Sequence, residues 1–140
     1  MRISFKLGLI VVALAASASA QAFLADLKSE HDPGRRAELA LSFADESFDS
    51  AKSLYQKGDI HQGDVALENM TSALNACVES LAAANKAKIY KKAELKVAIL
   101  QRRLSGLTDA LGVLERGWAE QTARKIEEIH EKLLEGVMRK

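Results

Sequence analysis

Apolar side chains recur at alternating steps of three and four along four successive stretches of this chain, and that rhythm admits few folds. The first stretch carries Ala37, Leu41, Ala44, Phe48, Ala51 and Tyr55, and the second Leu67, Met70, Leu74, Cys77, Leu81 and Ala84. The third carries Ile89, Ala93, Val97, Leu100, Leu104, Leu107, Leu111 and Leu114, and the fourth Trp118, Thr122, Ile126, Ile129, Leu133 and Val137. In a helix of about 3.6 residues per turn, each set occupies one face. A helix with one apolar face buries it against another element. Four such stripes in succession therefore predict an all-α fold, with antiparallel helical hairpins forming a four-helix bundle-like domain. No sustained alternation of apolar and polar residues and no Asn-Gly or Asp-Gly turn argues for a strand.

Boundary residues place the helices at about 33–57, 59–84, 88–112 and 117–138, one domain over 33–138 after a polar lead-in at 23–32. Asp32-Pro33 offers an N-cap followed by a proline suited to the first helical position. Gly58 accepts the left-handed conformation that stops a helix, and Asp59 with Gln62 three residues on makes a capping-box pattern. The polar Asn85-Lys86-Ala87-Lys88 suggests a short loop. Between the third and fourth stripes stand Gly112 and Gly117, each costing a helix about 1 kcal/mol relative to alanine. A turn at 112–117 is expected there. The rival, one uninterrupted helix over 87–138, would run roughly 78 Å and outreach anything this chain could pack against it.

The N-terminal segment reads differently. Arg2 and Lys6 precede a ten-residue apolar run, Leu7 to Ala16, and Ala18-Ser19-Ala20 and Ala20-Gln21-Ala22 both fit small-x-small cleavage sites. The run is too short to span a bilayer of about 30 Å, so residues 1–20 read as a secretory signal peptide cleaved after Ala20 or Ala22. No later stretch is long and apolar enough to span, so a periplasmic or secreted location is expected. Cys77 is the only cysteine, which excludes an intramolecular disulfide. Its place on the second stripe makes it a small buried hydrophobe rather than a nucleophile.

The sequence holds little chemistry. Only His31, His61 and His130 could serve as an imidazole base, and no nucleophile elbow, phosphate loop or haem-attachment motif is present. Glu127 and His130 form an E-x-x-H pair that an i, i+3 spacing can offer to a metal, but no second pair exists and both sit beside the fourth stripe. Asn69-Met70-Thr71 matches a glycosylation sequon whose centre lies on the second stripe. No catalytic residue and no cofactor is expected.

Charge is the remaining signal. The net charge is only +1, which argues against a nucleic-acid binder, yet the halves differ. Phe23 to Ala82 holds 11 acids and 5 bases, whereas Ala83 to Lys140 holds 8 acids and 13 bases. Lys86, Lys88, Lys91, Lys92, Lys96, Arg102 and Arg103 enclose a single acid, Glu94. Two readings follow: a face paired against the acidic first hairpin, or a docking strip for an anionic partner formed by Lys88, Lys91, Lys92, Lys96, Arg102 and Arg103.

Leu54, Gly58, Gly63 and Leu67 at helix-turn-helix spacing give the first hairpin a distant resemblance to one tetratricopeptide-type unit, without a second copy at the period of about 34 residues. Lys91-Lys92-Ala93-Glu94, Leu100-Gln101-Arg102-Arg103-Leu104 and the run Glu127 to Met138 make the chain similar to a group of small signal-bearing, all-helical bacterial proteins. That resemblance implies a helical fold and export, and brings no catalytic residues. The expectation is an exported, non-enzymatic binding or scaffold module, its partner an unknown protein or an anionic envelope component. The alternative is a helical bundle that binds a small ligand or a metal.

Overall fold

A computed structural model describes residues 22, 23, 25–84 and 86–139; residues 1–20, expected to be a signal peptide, lie outside the described residues. Residues 25–29 are helical, with the Ser29 hydroxyl donating to the Asp26 carbonyl at 2.9 Å. From Asp32 onward the chain forms a separate unit of four helices: α1 (Pro33–Gln56), α2 (Ile60–Ala84), α3 (Ala87–Ala110) and α4 (Gly117–Met138). The fold is all-α, as the four stripes require.

The ends form for local reasons. The Asp32 carboxylate accepts from the Gly34 amide at 3.3 Å, with Pro33 in the first turn, so α1 starts on a capped end. At its other end Gly58 takes a φ of +82°, and the Asp59 amide returns to the Leu54 carbonyl at 2.9 Å. That geometry closes the helix through a left-handed residue. Asp59 then accepts from the Gln62 amide at 3.3 Å and caps α2. The helix α3 stops at Ala110, two residues before the expected 112, because Leu111 turns to an extended ψ of 147° and buries its side chain. The turn closes with the Glu115 amide on the Gly112 carbonyl at 3.0 Å and the Arg116 guanidinium on the Leu111 carbonyl at 3.0 Å. Leu114, expected as the last residue of the third stripe, is instead 100% exposed, since the helix that would have carried it inward has already ended.

The helices α1 and α2 form the closest-packed pair, and α3 pairs with α4; across the hairpins α1 lies along α3 and α2 along α4. Small side chains explain the first pair. Ala40, Ser47, Ala66, Ala73 and Ser80 are all buried, and small residues let two helix axes approach closely. Phe48, Leu67, Met70, Leu74, Leu81, Leu100, Leu104, Ile126 and Leu133 fill the centre. Contacts at Glu38–Lys92, Asp45–Lys96 and Asp49–Arg103 advance together along the chain, so α1 and α3 run parallel. The parallel helices are thus neighbours across the two hairpins, whereas a simple up-down bundle sets them on its diagonals.

Both tyrosines lie flat against a glycine of the neighbouring helix. A Cβ at Gly63 would stand 2.8 Å from the Tyr55 ring, and one at Gly136 would overlap the Tyr90 ring. Tyr55 cannot swing away cheaply, because its hydroxyl donates to Asp64. Gly63→Ala and Gly136→Ala should therefore each lower stability by about 1–3 kcal/mol, as overpacking does. Gly106, in α3 with open space around it, should become more stable as alanine by up to about 1 kcal/mol. Urea unfolding of the three variants checks the opposite signs.

Candidate anionic-partner surface on the third helix

Ala93, Val97, Leu100 and Leu104 point α3 into the core, and everything else on the helix follows from that orientation. Lys92, Lys96 and Arg103 fall on the flank toward α1. Lys92 reaches Glu38 at 3.8 Å, Lys96 pairs with Asp45, and Arg103 meets Asp49 at 2.6 Å while its guanidinium lies 4.5 Å over the Phe48 ring. Three of the six expected patch residues are therefore joined to acids of the first hairpin. The charge asymmetry between the halves acts here as an interhelical ladder.

Lys88, Lys91 and Arg102 fall on the other side. They alternate with Leu95 and Ile99 at steps of three and four along the face opposite the core, and all three are exposed. Leu95 is 54% and Ile99 48% exposed, two aliphatics one turn apart on a helix that already has a complete buried stripe. No acid lies on this outer face between Lys88 and Arg102, because Glu94 turns toward α4 and bonds His130 at 2.8 Å. Around the N-terminal end of the face lies an open groove of about 890 Å³, lined by Ile89, Leu95 and Val137, by Lys88, Lys91 and Lys92, and by Glu38 of α1, the acid that Lys92 reaches. The basic run, read as one patch from sequence, is two features divided by the rotation of the helix. The sequence carries a mark of Leu95 and Ile99 as outward in their spacing, two residues off the core positions 93 and 97.

The other candidates are placed as follows. Glu127 is exposed while His130 turns to Glu94, so the E-x-x-H pair is not brought together. Among the described residues no three His, Cys, Asp or Glu side chains gather as a metal would require. His31 and His61 are exposed. Thr71 of the sequon is buried in α2, its hydroxyl donating to the Leu67 carbonyl at 3.1 Å.

Cys77 is 1% exposed, and burial pushes its thiol up to about 12. Burial, reinforced by the adjacent Asp64 carboxylate, also pushes the Tyr55 phenol up. Compared with known protein families, with curated proteins and with solved structures, the chain matches none.

A raised acid pKa makes stability fall as pH rises. Below about pH 9 the Cys77 thiol is protonated in both folded and unfolded chains and contributes no slope. Above it, the unfolded chain ionises while the folded thiol keeps its proton to about 12, so the unfolded state gains. Native protein should react slowly with a thiol reagent and denatured protein fast. Cys77→Ala should cost about 1 kcal/mol near neutrality and flatten the loss of stability on the alkaline side, measured by urea unfolding across pH.

Proposed function

We propose that this protein is an exported, non-enzymatic binding module that docks on an anionic lipid surface through the outer face of α3. The observation that carries the reading is the pair of half-exposed aliphatics, Leu95 and Ile99, set among Lys88, Lys91 and Arg102. A soluble anionic polymer would use the cations but has no use for the aliphatics. A lipid interface uses both, the ammonium and guanidinium groups on phosphates and the methyl groups in the acyl boundary. The three cations contribute about 1 kcal/mol each near an anionic leaflet, and the exposed parts of the two aliphatics add roughly 2 kcal/mol together. A total near 5 kcal/mol corresponds to weak, reversible binding. No helix among the described residues is long and apolar enough to cross a membrane, so the contact proposed is peripheral.

Co-sedimentation with vesicles tests this. Purified protein should pellet with phosphatidylglycerol-containing vesicles at low salt, release as salt rises, and stay in solution with phosphatidylcholine alone. Lys88→Glu/Lys91→Glu/Arg102→Glu should abolish binding, and Leu95→Ser/Ile99→Ser should weaken it without steepening its salt dependence. Equal binding by wild type and the triple variant would overturn the reading.

A further inference from the structure

The seam between α1 and α3 is not uniform. At its lower end the helices touch: a Cβ on Gly34 would stand 2.9 Å from the Ile89 side chain. Toward the upper end α3 presents Gly106 and Ala110, too small to fill the space opposite Lys52 and Gln56, and a cavity of about 340 Å³ remains. Phe48, Leu107 and Leu111 give it an apolar floor. Its polar lining groups include the Lys52 ammonium, the Gln56 amide and the Arg103 guanidinium, and no carboxylate lines it. Lys52 makes no ion pair among the described residues. Arg103 gives one nitrogen to Asp49 and lies over the Phe48 ring, which leaves further N–H donors of its fork for another acceptor. The volume falls within the range of about 300–1,000 Å³ typical of small-molecule sites, which are likewise mostly apolar with a few converging polar groups.

We infer that this cavity binds a small organic monoanion with a flat apolar body, an aromatic carboxylate being the class that fits. The ring lies against Leu107, Ala110 and Leu111, and the carboxylate accepts from Arg103, Lys52 and Gln56. Arginine and lysine both favour that acceptor, and charge-assisted bonds are roughly twice as strong as neutral ones, so the charge rather than the ring sets selectivity. The site is separate from the outer face of α3 and does not depend on lipid docking.

Titration of isotope-labelled protein with phenylacetate, followed by amide NMR shifts, tests the assignment against its neutral isostere phenylacetamide. Phenylacetate should produce saturable shifts centred on the amides of Lys52, Gln56, Gly106 and Ala110, and phenylacetamide should bind about tenfold more weakly. Gly106→Leu, which projects a side chain into open space, should remove the shifts while leaving the melting transition intact. Lys52→Glu, an exposed change that spares the core, should weaken phenylacetate and leave phenylacetamide unchanged. Non-saturable shifts, equal affinity for the two compounds, or undiminished binding by Lys52→Glu would each overturn the proposal.

Discussion

The seam between α1 and α3 sets the surface of this molecule, because it decides which way the basic run faces. Beneath it Phe48 of α1 and Val97, Leu100 and Leu104 of α3 are fully buried, and that burial supplies the energy. Above it Glu38, Asp45 and Asp49 meet Lys92, Lys96 and Arg103 in parallel register. Partly exposed ion pairs of this kind are worth roughly 0–1 kcal/mol each, so they do not hold the fold together. The buried stripe sets the rotation of α3, and the pairs reinforce it by meeting α1 with opposite charge. Turning the helix so that Lys88 and Lys91 faced α1 would also bring Leu95 toward carboxylates and move Val97 out of the core.

That rotation has two consequences on either side of one helix. Outward, it leaves Lys88, Lys91 and Arg102 with Leu95 and Ile99 on a face without acids, suited to an anionic interface. Inward, it sets Gly106 and Ala110 across from long polar side chains, and the seam opens where those two residues fail to fill it. The second hairpin stiffens the arrangement from behind. Tyr90 lies on Gly136 and Glu94 holds His130, tying the first half of α3 to the end of α4.

Much of the fold was legible because helix periodicity is a local signal. The stripe at 37–55 is buried at every expected position and the stripe at 67–84 at all but its last, Ala84, and Gly58 with its positive φ ends α1 within a residue of the expected place. Leu114 misled because periodicity continues through a turn that the backbone does not respect. The stacking of the hairpins, the Tyr–Gly contacts and the cavity were not legible. Each depends on which residues of distant segments meet, and Tyr55 or Gly106 carries no mark of its neighbour. The charge ladder was half legible: the imbalance between the halves showed attraction, but the pairing of Asp45 with Lys96 needed the register. As for the candidate site, six cations were named as one patch, and geometry assigns three of them to each side.

Zero-length carbodiimide cross-linking of the native protein, read by peptide mass spectrometry, tests this division most directly, since it joins a lysine to a carboxylate only when they touch. The account predicts a Lys96–Asp45 link, a weaker Lys92–Glu38 link, and none from Lys88 or Lys91 to Asp45 or Asp49. Links from Lys88 or Lys91 to Asp45 or Asp49, with Lys96 left free, would contradict it.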